Sequence, residues 1–310
     1  MKKLLMLFAF TMSMYLQAVS ASEVGFSGME QIDSGSYLIV HDKKVYENGV
    51  RVGLLNLVKG KAPSYSPLTI DDWKHSDGQA SDLESVCRIP GKNDEFLLAE
   101  AGYWGGQYGR IFHIKLNGRT ASVRNVYKIP KIVGSADGVD GDNFEGMVCF
   151  KKENTIFVVL GERGGGLTYR NAYLRIGILN YSSASLSWKE FLDKPVEIIA
   201  PGKWTNPKSK RSISDLYMDS SGVIWAAATE DAGDEGPFKS VIYKAAILTE
   251  TDSTKPVRAL NTKEADWTID GFKVEALSGP SNLVPGSYMS IGTEDESYMG
   301  VWRPLFRPTE

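Results

Sequence analysis

Five times along the 310-residue chain an acidic residue opens a short apolar run, and 12 to 19 residues later a second acidic residue closes another. The pairs are Glu30 with Asp42, Glu84 with Glu100, Glu145 with Glu162, Asp215 with Glu230 and Glu275 with Glu294. Carboxylates collected from separate stretches of chain can hold a hard cation through oxygen, or serve as general acid and general base on a bound substrate. Either chemistry needs a fold that brings the acids of different repeats to one place.

The residues between the two acids of a pair supply that fold. Each interval reads as a strand-like run, a polar turn and a second strand-like run, as in Ser85-Val86-Cys87-Arg88-Ile89 followed by Glu95-Phe96-Leu97-Leu98-Ala99. A Gly-containing loop and a third run follow, for example Gly109 to Leu116 and Ala172 to Leu179, and most copies add a weaker fourth. Four antiparallel strands repeated every 54 to 70 residues predict an all-β fold, a β-propeller. Five blades are expected, or six if the interval from Glu145 to Asp215 conceals another. The chain ends soon after the third strand of its last repeat, so Glu23-Val24-Gly25-Phe26-Ser27 is expected to complete that blade as its outer strand and close the ring.

Residues 1–21 combine Lys2 and Lys3 with an interrupted apolar run and Ala18-Val19-Ser20-Ala21, the pattern of a secretory signal peptide. Residues 22–310 then form a single exported propeller domain, periplasmic or secreted, with no membrane span expected. Loss of the two lysines moves the formal charge from −3 to −5, and no concentrated basic face is visible, which argues against nucleic acid as a partner. Cys87 and Cys149 fall in the first strands of neighbouring repeats and form either one disulfide or two buried thiols.

In a propeller the first strand of each blade lines the central channel. A hairpin brings the start of one strand opposite the end of the next, so both acids of a repeat are expected at one rim. Glu30, Glu84, Glu145, Asp215 and Glu275 would then ring one channel mouth. Two carboxylates about 6 Å apart at an effective dielectric near 20 repel by about 2 to 3 kcal/mol. Raised pKa values, paired arginines, loop amides or a bound cation would relieve this, and calcium suits such a ring. Alternatively the acids accept backbone hydrogen bonds that hold blades in register. Zinc and copper fit poorly, because His41, His75 and His113 show no ligand spacing.

The second acids face the same rim, either as chemical groups or paired with nearby cations such as Arg110, Arg163 and Lys239. Glu100, Glu162, Arg163 and His41 form the candidate catalytic set. Arg163 lies in Gly161-Glu162-Arg163-Gly164-Gly165-Gly166, where glycines allow backbone amides to approach an anion. Tyr103, Trp104, Tyr108, Tyr169, Tyr173, Tyr298 and Trp302 fall near the same rim and suit stacking on sugar rings, or simply pack between blades.

Asp82-Leu83-Glu84-Ser85-Val86 with Phe96-Leu97-Leu98-Ala99-Glu100, and Asn143-Phe144-Glu145-Gly146-Met147-Val148 with Phe157 to Arg163, resemble the Asp-x-Glu-Gly-aliphatic segments of phytase-like, esterase-like bacterial propellers. One acid per blade is also similar to the secreted five-bladed calcium-activated nucleotidases. The resemblance implies calcium in the channel and hydrolysis of phosphate or other esters. Only the third repeat keeps Glu-Gly, and the fourth carries Asp215. Two further readings stand beside this one: a non-catalytic envelope propeller binding a small molecule, a glycan or a protein, and an enzyme cleaving glycans with two carboxylates of different pKa.

Overall fold

A computed structural model describes residues 25–104, 107–130, 143–165, 171–191, 193–249, 254–295 and 299–307. These residues form an all-β, five-bladed propeller. Blade one runs outward from the channel as β1 (Gly28–Asp33), β2 (Ser36–Val40), β3 (Val52–Asn56) and β4 (Ser64–Pro67). The connection to the next blade carries β5 (Thr69–Ile70), which adds in parallel to the outer edge of blade two. Blade two itself is β6 (Leu83–Arg88), β7 (Glu95–Glu100), then a small hairpin of β8 (Tyr103–Trp104) and β9 (Gln107–Tyr108), then β10 (Arg110–Asn117) and β11 (Thr120–Lys128). Blade three comprises β12 (Phe144–Lys152), β13 (Thr155–Glu162), β14 (Ala172–Asn180) and β15 (Ser185–Ser187), with β16 (Val196–Ile198) also on β14.

Blade four repeats that plan with β17 (Lys210–Met218), β18 (Val223–Glu230), β19 (Lys239–Leu248), β20 (Val257–Ala259) and β21 (Trp267–Asp270), the last two both on β19. Blade five has three strands among the described residues, β22 (Val274–Ser278), β23 (Ser287–Thr293) and β24 (Trp302–Phe306). The long interval between Glu145 and Asp215 is filled by β15 and β16, which belong to blade three, so there is no sixth blade there.

The innermost strands β1, β6, β12, β17 and β22 pack in sequence round the channel, and β22 meets β1 to close the ring. Because each blade is apolar on both faces, burial falls into five cores, one in each gap between neighbours. Leu38, Leu54, Phe96 and Phe112 join blades one and two, Leu97, Met147 and Trp188 join two and three, and Val148, Val159, Leu216 and Tyr243 join three and four. Trp225, Leu277 and Ile291 join four and five, and Phe26, Met29, Tyr37 and Ala276 join five and one. Gly146 shows how closely the inner strands approach: a Cβ there would lie 2.7 Å from the Leu216 nitrogen, a backbone atom with no freedom to retreat.

Closure differs from the expected outer strand. Glu23 and Val24 lie outside the described residues, but Phe26 and Ser27 do not reach the outer edge. Phe26 N donates to Thr293 O at 3.0 Å and Ser27 N to Val40 O at 3.2 Å, so the segment bridges the ends of β23 and β2 near the channel. The physical reason is Phe26, fully buried against Met29, Tyr37 and Ala276, which anchors the segment in the gap between blades five and one.

Cys87 and Cys149 form a disulfide between β6 and β12, with Cα atoms 5.7 Å apart. It closes a loop with a sequence separation of 62, for which the chain-entropy account gives about 4 kcal/mol of stabilisation. The double substitution Cys87→Ser and Cys149→Ser is expected to lower the unfolding midpoint of the oxidised protein in a denaturant titration, and dithiothreitol to have no further effect on that variant.

Candidate functional site

Strand register sets where each acid points. Leu83 pairs with Glu100, Phe144 with Glu162 and Val274 with Thr293, so in blades two, three and five the first and second acids reach the same end, whereas in blade four it is Lys210 that lies opposite Glu230. Glu84, Glu145 and Glu275 each fall in a register shift directly after that pair, a β-bulge repeated in blades two, three and five. A bulge leaves its extra residue unpaired and turns its side chain. All three glutamates are almost wholly buried, and their charges act on one another, Glu145 and Glu275 both on Glu84.

The ring of five acids at one mouth does not form. Glu30 lies opposite Leu38 and Asp215 opposite Ala227, two and three residues further along their hairpins than the strand ends. At about 3.3 Å per residue this places them some 7 to 10 Å deeper. In blade one the register shift falls after Glu30, between Gln31 and Asp33, and in blade four the irregularity spans the residues before Asp215. Asp215 Oδ2 accepts Leu277 N at 2.6 Å, a bond from blade five to blade four that holds the two inner strands in register.

Besides Arg163, cations that sequence spacing did not identify reach the three-glutamate mouth. Arg211 Nη1 donates to Glu275 Oε1 at 3.2 Å, and its Nη2 lies 2.5 Å from Asp231 Oδ2. Lys273 Nζ sits 3.1 Å from Glu275 Oε1, 3.7 Å from Asp231 and 3.8 Å from Glu294. Arg163 Nη1 donates to Glu145 Oε1 at 3.3 Å, and Lys44 pairs with Asp82. The sequence held only a proximity signal: Lys273 lies two residues before Glu275, just ahead of β22.

Burial and like charge separate the protonation states of these groups. Burial, then the charges of Glu145, Asp82, Asp42 and Glu275, pushes the Glu84 carboxyl well above the carboxylate range. No cation forms a salt bridge with Glu84 among the described residues, whereas Asp82 shares a hydrogen bond with it. Burial, Glu275 and Asp42 push Glu294 up strongly as well. For Glu275 burial raises the pKa while Lys273 and Arg211 oppose it. Burial also works against the Asp231 anion, but Arg211 and Lys273 outweigh it and hold that carboxyl below its usual range.

The second acids are engaged in their own blades. Glu100 is fully buried, accepting Ser81 N at 2.8 Å, Arg110 N at 2.9 Å and the Arg110 guanidinium at 2.5 Å. Glu162 pairs with Arg175 at 2.9 Å. Glu230 accepts Thr205 N at 2.9 Å and Asn206 N at 2.5 Å. His41 is buried with Nδ1 2.6 Å from Gly25 O and Nε2 2.8 Å from Tyr65 OH, and burial drives its pKa down to about 4. Of the candidate catalytic set, therefore, only Arg163 contacts the mouth glutamates; Glu100, Glu162 and His41 are bound within their blades. Trp302 packs against Tyr37, with ring centroids 6.3 Å apart, and Arg175 covers Tyr173. Tyr169 and Tyr298 lie outside the described residues, as do the side chains of Tyr103, Trp104 and Tyr108.

Among the described residues no three Asp, Glu, His or Cys side chains are arranged to hold a metal ion. The donor set for the calcium that the resemblance implied does not assemble, because Arg211, Lys273 and Arg163 already stand against the carboxylates.

No family model and no curated protein matches the sequence. Solved structures with a similar fold include a thermostable family-43 glycoside hydrolase, at TM-score 0.50 and 9% identity over 92% of this chain and 95% of that one. A GH43 β-1,3-galactosidase bound to galactodeoxynojirimycin gives TM-score 0.48 and 8% identity over 91% and 90%. An exo-β-1,3-galactanase from Phanerochaete chrysosporium with galactose gives 0.49 and 12% over 91% and 60%. At these identities the likeness concerns the five-bladed fold.

A carboxyl whose native pKa lies above its unfolded value costs stability as pH rises from the unfolded pKa through the native one. Glu84→Gln is therefore expected to raise the unfolding midpoint near pH 8 and to leave it little changed near pH 4, as read by calorimetric scans at both pH values. Glu100→Gln is expected to act in the opposite direction, costing about 3 kcal/mol or more in denaturant titrations, because it strips Arg110 of its buried counter-charge.

Proposed function

We propose that the chain is an acid–base hydrolase that cleaves glycosidic bonds at the mouth formed by Glu84, Glu145 and Glu275. The observation that carries this reading is the difference between two glutamates on adjacent blades. Glu84 is held towards its protonated form by burial and neighbouring carboxylates, while Glu145 has the Arg163 guanidinium beside it. A proton-bearing carboxyl set beside a second carboxyl group is what glycoside hydrolysis uses.

In this reading Glu84 donates its proton to the glycosidic oxygen as the bond to the anomeric carbon breaks, and the leaving sugar departs as an alcohol. A water molecule attacks the anomeric carbon and gives its proton to Glu145. Arg163 keeps Glu145 in place, and Arg211 with Lys273 fixes Glu275, whose charge, with that of Glu145, acts on Glu84. A phosphoester substrate is less favoured. Each of those three cations is already bonded to a carboxylate, so a phosphate would compete with the charge that stabilises the mouth. A neutral glycan needs no such exchange. The N-terminal leader pattern and the Cys87–Cys149 disulfide support export to an oxidising compartment.

The test is release of reducing ends or aryl alcohol from a panel of neutral aryl glycosides and oligosaccharides. Turnover is expected to decline as pH rises through the raised Glu84 pKa, and both Glu84→Gln and Glu145→Gln are expected to lower kcat about 100-fold or more. Activity retained in both variants, or no turnover on any member of the panel with the folded protein, would reject the reading.

A further inference from the structure

The opposite end of the channel holds a second set of features that the acidic mouth does not use. There the inner strands terminate at Asp33, Arg88, Lys152 and Met218. A cavity of about 350 Å³ opens between blades two, three and four. Its walls are mostly apolar, formed by Val148, Phe150, Leu216, Met218 and Leu248 together with the Cys87–Cys149 disulfide, with Lys151 also lining it. Glu30, Arg88 and Tyr217 stand at its inner end and are shared with an adjoining cavity of about 400 Å³. An apolar recess of this size with a few convergent polar groups is the usual form of a small-molecule site.

Arg88 has an unmet need that such a ligand would satisfy. Its Nη2 donates to the carbonyl oxygens of Gln31 and Ile32, the latter at 2.7 Å, and its guanidinium lies over the Phe96 ring with Cζ 5.4 Å from the centroid. These contacts fix the plane of the group. The buried Nε has no hydrogen-bond partner but is closed to solvent, whereas Nη1 is not among the buried unpartnered atoms and donates to no acceptor among the described residues, so it is the atom an anion can reach. A charged donor without an acceptor costs free energy that an incoming anion recovers. Glu30 does not form a salt bridge to it; burial lifts the Glu30 carboxyl to about 7, with Arg88 opposing. Near pH 7 this carboxyl is therefore only partly ionised, which lessens the repulsion an anion would otherwise meet.

We propose that this far-side cavity binds a small amphipathic carboxylic acid, its carboxylate on Arg88 and its apolar body against Val148, Phe150 and Leu216. Apolar burial supplies affinity in proportion to the area covered, and the guanidinium fixes orientation. The site lies at the other end of the channel from the glutamate mouth and is independent of what that mouth does.

Calorimetric titration of the oxidised protein with hexanoate and with benzoate tests it, with acetate and 1-hexanol as probes of the head group and of the apolar body alone. Saturable one-to-one binding of hexanoate or benzoate is expected, tighter than that of either control. Arg88→Gln is expected to weaken it about tenfold or more, whereas Glu84→Gln leaves it unchanged. Arg88 also supports the β1 carbonyls, so Leu248→Trp provides a second variant: it fills the recess from its rim with Arg88 intact, and is expected to abolish binding. No saturable binding of either acid, acetate binding as tightly as hexanoate, or full affinity in the folded Arg88→Gln variant would overturn the proposal.

Discussion

Carboxylates crowded into the narrow end of a ring of strands cannot all be ionised there, and much of the structure around the channel answers that constraint. Glu84, Glu145 and Glu275 enter one water-poor space from three blades, with Asp82, Asp231 and Glu294 close by. Each pair of like charges would cost kcal/mol amounts in such surroundings. The chain resolves the conflict in two ways at once. Arg211 and Lys273 cross to the Glu275 side and keep that carboxylate and Asp231 paired, while the Glu84 side, lacking such a partner, moves towards the protonated form. The acid–base reading rests on that state of Glu84 and on Glu145 of the adjacent blade, which has the Arg163 guanidinium beside it.

That arrangement depends on the blades being fixed with little slack. Five separate cores, one per gap, tie each inner strand to both neighbours, and glycines such as Gly146 let backbones pass at distances no Cβ would permit. Hydrogen bonds from one blade to the next reinforce the packing. Ser214 Oγ donates to Val274 O, Tyr37 OH to Gly279 O, and Leu277 N to Asp215. Asp215 thus serves as an acceptor that locks blades four and five together. Glu100 does comparable work inside blade two, where it satisfies Arg110 and two backbone amides at zero exposure. Acids of one repeat pattern therefore divide into those that hold the ring and those that face the mouth.

Much of this was legible in the chain itself. Alternating strand-length apolar runs separated by Gly and polar turns, recurring at propeller-blade spacing, determined an all-β propeller of five or six blades, because a four-stranded sheet of that length buries both faces only against copies of itself, and the structure decided on five. Hairpin spacing also predicted that both acids of a repeat reach one end of the blade, which holds in blades two, three and five. Tertiary structure alone decided the rest. Whether a bulge lifts an acid into the mouth or regular pairing leaves it deeper depends on a one-residue register shift, which separates Glu84, Glu145 and Glu275 from Glu30. The union of Arg211 with Glu275, 64 positions apart in sequence, exists only once blade four meets blade five. The path of Phe26 into the gap between blades five and one was likewise set by the volume left there rather than by any strand pattern. Local periodicity encodes a repeat, but the charge balance at its centre is a property of all the blades together, because Coulomb energy depends on distances between residues that sequence spacing does not specify.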